Sequence, residues 1–253
     1  MYYKGNGIYE ELLKNNIQQY KFVTGNEWQL VYGNADCEPQ LLVYLFGKNK
    51  NNYDTKLNNK EIKRINFYTY LSSQTAIPYL IIKFRIDIVE VEEVLVSTDG
   101  HHFITKNMTE LMSLFASHKL PISNSTTQKY LNDKTSSAYH KWQRNSLGRD
   151  LKVSDIDLYK VDTNNLPTTI YELKRSYYSL DKWIPFKEDY TNFKLLSKLC
   201  NKCNLNLQII YNVRHKSPFF DDVSKLKLFS VNFTHTPPIK FDCIISFADF
   251  IKI

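Results

Sequence analysis

The stretch 153–175 constrains this chain more than any other, because two runs with a residue period of two lie on either side of a turn. Val153-Ser154-Asp155-Ile156-Asp157-Leu158-Tyr159 alternates polar and apolar positions, and Ile170-Tyr171-Glu172-Leu173-Lys174-Arg175 does the same. Such alternation marks a half-buried strand, since successive side chains leave a strand on opposite faces. Asp162-Thr163-Asn164-Asn165-Leu166-Pro167 between them has turn chemistry. The two runs therefore read as a hairpin or as two adjacent strands.

On this reading Asp155 and Asp157 share one face of the first strand, while Glu172 and Lys174 share one face of the second. Ile156, Leu158, Tyr171 and Leu173 supply the buried side. Acid and lysine alternation also marks the solvated face of an ordinary amphipathic strand. If the polar faces coincide, however, like charges stand opposite each other and repel unless a cation lies between them. Mg²⁺ suits that position, because this hard ion takes one or two carboxylates and several waters and leaves room for a phosphate oxygen.

Asp157 in the context Ile156-Asp157-Leu158, followed after fourteen residues by Glu172-Leu173-Lys174, resembles the PD-(D/E)XK nuclease superfamily. That superfamily includes many type II restriction enzymes, Holliday-junction resolvases and phage or repair nucleases. The resemblance covers residues 125–215. It implies a restriction-endonuclease-like core, a central mixed β-sheet flanked by helices, within a mixed α+β (α/β) fold. It further implies that Asp157 and Glu172 are metal ligands and that Lys174 is the lysine associated with the attacking water. Asp155 is the rival for the first ligand position. No proline precedes Asp157, a departure from the name-giving pattern.

Members often add a glutamate from a helix before the motif strands. The segment 126–146 offers Gln128, Asp133 and Gln143 but no glutamate, which leaves Glu110 and Glu11 as candidates. The expected chemistry is hydrolysis of a phosphodiester with Mg²⁺ or Mn²⁺ as cofactor, since a cation neutralises the phosphate and lowers the pKa of bound water. Catalytic roles fall to Asp157, Glu172 and Lys174, and metal binding to Asp157, Glu172 and Asp155.

Net charge is +7 with an isoelectric point near 9.0, the sign that suits a polyanionic ligand. Arg144, Arg149, Lys152, Arg175, Lys182, Lys187, Arg214 and Lys216 gather around the motif and are the expected nucleic-acid contacts. Tyr139, Trp142, Tyr177 and Tyr178 either stack on bases or anchor the core. DNA is the expected partner, with RNA also open, and a homodimer suits a cut through both strands of a duplex. The alternative is a nucleic-acid-binding or interaction protein with a nuclease-like fold and no cleavage.

The remaining chain supplies the rest of the architecture. After the motif, 187–200 reads as a helix and 205–213 as a strand, with further strands over 225–232 and 241–247. Upstream, 65–70, 79–89 and 91–96 read as strands and 107–119 as a helix. Composition over 121–127 suggests a boundary between a β-rich α+β region, 1–124, for substrate recognition or oligomerisation, and a catalytic domain, 125–253. Cys200-Asn201-Lys202-Cys203 lacks the second pair that a zinc site would need, so reduced thiols are expected. With no run of eighteen apolar residues and no secretory segment, a cytoplasmic or otherwise intracellular location is expected, nucleoid-associated in a bacterium, with no membrane partner.

Overall fold

The computed structural model describes residues 6–123, 125–126 and 137–253. Gln128 and Asp133 lie outside the described residues, as do positions 124 and 127 of the expected boundary. In chain order the elements begin α1 (Gly7–Lys14), β1 (Tyr20–Lys21), β2 (Glu27–Gly33), β3 (Pro39–Lys48), α2 (Asn59–Thr75), β4 (Tyr79–Arg85), β5 (Glu93–Ser97), β6 (Ile104–Asn107) and α3 (Met108–Ser117). They continue with α4 (Ala138–Ser146), β7 (Lys152–Asp155), β8 (Leu158–Val161), β9 (Pro167–Ser176), α5 (Tyr190–Cys203), β10 (Asn206–Lys216), β11 (Phe219–Val231), β12 (Ile239–Ser246) and α6 (Phe247–Phe250).

These elements form a mixed α+β fold divided between two compact units. One is Thr24–Asp155; the other joins the segment that ends at Val23 to Ile156–Ile253. The division falls at 23/24 and 155/156 instead of 124/125, so the N-terminal segment belongs with the motif and not with the region that follows it.

The Thr24–Asp155 unit holds a six-stranded sheet in the order β6-β5-β4-β3-β2-β7. Only β3 and β4 run parallel, and α2 makes the crossover between them. Central position explains the β3 sequence: Leu41, Leu42, Val43, Tyr44, Leu45 and Phe46 are all buried, a continuous apolar run with no polar face. Residues 65–70, expected to form a strand, lie inside α2. Asn58 and Glu61 close a capping box ahead of them, and Glu61, Ile65, Tyr68 and Leu71 bury at helical spacing. Arg64 on the same helix makes a bidentate pair with Glu27 of β2 at 2.8 and 2.5 Å. Replacing Asn58 by alanine removes the acceptor for the Lys60 and Glu61 N–H groups. Thermal or urea unfolding should report a loss of about 1 kcal/mol.

The second unit has the sheet order β1-β8-β9-β10-β11-β12. Here β9 and β10 are the parallel pair, connected through α5, and the other neighbours are antiparallel. Phe193, Leu196 and Leu199 of α5 are fully buried on a single stripe. On α1, the backbone comes so close to β11 that a Cβ on Gly7 would lie 2.9 Å from the Asp221 Cβ, which is why the helix starts with glycine. Trp183 in the β9–α5 connection stacks on Tyr211 of β10 at 4.1 Å between ring centroids. Its carbonyl accepts from Lys227 Nζ of β11 at 2.8 Å, so this long connection is pinned to the sheet.

Candidate active site

The expected strand 153–159 is two strands in two sheets. Asp155 ends β7 opposite Leu30 of β2, whereas β8 starts at Leu158 opposite Tyr171 of β9. Ile156, fully buried, and Asp157 carry the chain from one sheet to the other. Asp155 therefore does not share a strand face with Asp157; it belongs to the other unit. Period-two alternation runs unbroken through this change of sheet and gives no sign of it.

Asp157 stands at the head of β8, where the ladder with β9 has just ended. Its Oδ2 accepts the Leu173 N–H at 2.8 Å, taking the place that a strand carbonyl would fill. The Asp157 carbonyl accepts from the Tyr9 hydroxyl at 2.7 Å. Helix α1 thus fixes the backbone of this residue, and β9 fixes its carboxylate.

Glu172 and Lys174 leave β9 on the same side, as residues two apart must. Lys174 Nζ lies 3.1 Å from Glu172 Oε1 and 3.3 Å from Asp189 Oδ2, with the Phe193 ring centroid 5.4 Å away. Asp189 occupies the N-cap of α5 yet makes no capping bond; its carboxylate turns to Lys174 instead. Side-chain exposure rises from 5% at Glu172 through 21% at Lys174 to 30% at Asp189, so the group opens to solvent from the α5 end.

Burial by itself would depress the Lys174 ammonium, but the carboxylates of Glu172, Asp189 and Asp157 override it and hold its pKa well above the ordinary lysine value. Lys174 is therefore a standing cation at neutral pH. It can orient water or offset charge on a phosphoryl oxygen, but it has no tendency to take up a proton as a base.

Among the described residues, no three acidic, histidine or cysteine side chains gather closely enough to enclose a metal by themselves. Mg²⁺ needs fewer, since one or two carboxylates suffice and water completes its shell. Asp157 and Glu172 are hard oxygen donors of that kind. Glu11 turns back on its own helix, 3.0 Å from Lys14, and Glu110 closes the capping box of α3 with Asn107. Neither upstream candidate joins the group. Asp189 does join it; in the residue order its signal is an acid just before the apolar spacing of α5 begins.

The expected nucleic-acid contacts fall into three sets. Lys182, Lys187 and Lys216 are exposed on the motif unit. Arg175 and Arg214 instead converge on Asp221 at 2.6 and 2.8 Å, an ion triad that ties β9, β10 and β11 together. Burial would raise the Asp221 pKa, but the bond from Arg214 and the charge of Arg175 hold it below the usual carboxylate range. Arg144, Arg149 and Lys152 belong to the Thr24–Asp155 unit, where Lys152 Nζ donates to the Arg149 carbonyl at 3.1 Å. Of the aromatics, Tyr139 is fully buried against Tyr32 and Trp142, so it anchors the core. Tyr177 and Tyr178 are 53% and 55% exposed.

Burial pushes the Cys203 thiol up to about 11, and Cys200 beside it is raised as well, consistent with apolar packing inside α5. Among the described residues no helix is long and apolar enough to cross a membrane.

No family model matches this chain, and no curated protein matches it. Among solved structures it is similar to a sex pheromone precursor from Lactobacillus salivarius subsp. salivarius UCC118, at 11% sequence identity and a TM-score of 0.15. That alignment covers 82% of this chain and spans 61% of the other. Likeness at this level carries no argument about fold or function.

Proposed function

We propose that this protein is a metal-dependent nuclease that hydrolyses DNA phosphodiester bonds, with Asp157, Glu172 and Lys174 as its catalytic group. One observation carries the reading. Glu172 and Lys174 lie side by side on β9, and the carboxylate of Asp157, from the head of the adjacent antiparallel strand, is bonded to the residue between them. The order β8, β9, α5, β10, a mixed sheet with a helix between two of its strands, also suits the central mixed sheet flanked by helices that the resemblance implies.

The residues have separable tasks. Asp157 and Glu172 would hold Mg²⁺ or Mn²⁺, which when bound supplies charge neutralisation and an acidified water. Lys174 keeps the two acids from repelling each other before substrate arrives, and it presents a fixed positive charge where phosphoryl oxygens accumulate negative charge. Asp189 holds that ammonium toward the open end of the group. Tyr9 and the Leu173 N–H keep Asp157 from swinging away.

The test is nicking of supercoiled plasmid in Mg²⁺ or Mn²⁺, with EDTA as the control. The Asp157→Asn variant retains an oxygen that can accept the Leu173 N–H, so its melting temperature should match that of the parent. Its nicking rate should fall by about 10²-fold or more. Tight DNA binding without metal-dependent nicking by the parent protein would defeat the proposal in favour of a non-catalytic binding protein.

A further inference from the structure

The β10–β11 hairpin and the end of β9 carry a feature that the catalytic group does not use. Phe219 and Phe220, at the start of β11, are 66% and 46% exposed. Tyr177 and Tyr178, which follow β9 directly, are exposed to a similar degree. Phe219 and Phe220 are neighbours on β11 and so leave it on opposite faces; Phe219 and Tyr177, both beside Lys216, are exposed rings that are costly in water unless something covers them in use.

Each of three rings is matched with a basic side chain from the end of β10. Lys216 Nζ stands 4.6 Å over the Tyr177 ring, and the Arg214 guanidinium 5.1 Å over Phe219. His215 stacks on Phe220 at 4.6 Å, nearly parallel at 13°. Strand pairing explains the proximity: Lys216 lies opposite Phe219 and His215 opposite Phe220, while Val213 is paired with Ser176 just before Tyr177.

We infer that Tyr177 and Phe219, with Lys216 beside both, bind single-stranded nucleic acid, the rings stacking on unpaired bases while Lys216 meets the backbone. Two considerations select that ligand. The alternation of ring and cation matches a strand that alternates base and phosphate, whereas the buried centre of a protein interface is depleted in lysine. In a duplex the base faces are already stacked on each other, so open rings are useful only to unpaired nucleotides. Arg214 and Lys216 leave β10 on the face opposite Tyr211, which is paired with Lys174, so these rings and cations lie on the other face of the sheet from the catalytic group.

Binding can be measured apart from cutting. Fluorescence anisotropy of the full chain in EDTA should show an oligothymidylate or oligouridylate of about twelve nucleotides bound at least tenfold more tightly than a duplex of equal length. Comparing the two oligomers separates DNA from RNA as the source of the strand. Phe219→Ala and Tyr177→Ala should each weaken oligomer binding by about tenfold or more with unchanged melting, since the rings are exposed, whereas Phe220→Ala on the other face should not. Oligomer binding that is equal in parent and ring variants, or no tighter than duplex binding, overturns the inference even if plasmid is nicked in Mg²⁺. Ring-dependent binding without nicking upholds the patch and sinks the nuclease reading alone. Lys216→Gln, which keeps the length but not the charge, should reduce the salt dependence of binding by about one phosphate contact.

Discussion

Lys174→Met is expected to abolish metal-dependent nicking and to lower the stability of the protein as well. Two effects combine here. The chemical step loses a fixed cation beside the reacting phosphate, an interaction that commonly contributes about 10²-fold or more in rate. The folded state loses an ion-pair partner of two carboxylates, one of them, Glu172, almost fully buried. Removing one member of a buried ion pair costs about 3–5 kcal/mol, because the charge left behind remains out of water.

Activity and stability can be separated by a second substitution. Glu172→Gln combined with Lys174→Met removes the stranded charge, so much of the lost stability should return while nicking stays absent. Urea unfolding of the single and double variants reads the first effect, and plasmid nicking reads the second. If Lys174→Met nicks at the parental rate, the assignment of this lysine is wrong. The pH response has a definite sign as well. The Lys174 pKa is raised, so its contribution to stability is complete below the ordinary lysine value near 10.4 and is lost only as pH climbs beyond it. No loss from this pair is expected between neutrality and mild alkali.

The second large effect belongs to Asp221. Its side chain is 2% exposed, receives Arg175 and Arg214, and also accepts the Gly7 N–H at 3.3 Å. Asp221→Asn keeps the volume but leaves two guanidinium groups facing a neutral amide. A loss of about 3 kcal/mol follows, read as a fall in melting temperature on the order of 10 °C. Because the Asp221 pKa is lowered in the fold, its contribution is present above the ordinary aspartate value near 3.9 and disappears as pH falls below it. The parent should therefore lose stability in acid faster than Asp221→Asn does.

Much of the candidate site could be read directly from the residue order. Glu172 and Lys174 had to share a face once β9 was recognised, because a period of two leaves no other choice. The helix after the motif and the strand beyond it followed from the spacing of Phe193, Leu196 and Leu199. Other features are invisible at that level. Asp155 was placed beside Asp157 because alternation does not register a change of sheet. Asp189 reaches Lys174 from the far end of the β9–α5 connection, which Trp183 pins to β10, a contact between distant positions. Arg175 and Arg214 looked like phosphate ligands since nothing local announces Asp221 on the next strand. Residues 65–70 were misread because a short apolar run suits strand and helix alike, and the capping box that decides the matter begins at Asn58.

The order of synthesis gives the split second unit a particular consequence. Helix α1 and strand β1 are made before the rest of their unit, yet Tyr20 pairs with Lys160 and Tyr9 holds Asp157. Those partners emerge only after all of Thr24–Asp155 has been made. The inserted unit can pair β2 to β6 meanwhile, and once β7 joins β2 the free chain between β1 and β8 is shortened, so that less chain entropy remains to be lost when β1 meets β8. A fragment started at residue 125 would contain the three proposed catalytic side chains but lack the tyrosine that steadies one of them and the glycine that seats a helix on β11. A piece that carries the whole second sheet must accordingly include both segments, the one that ends at Val23 and Ile156–Ile253.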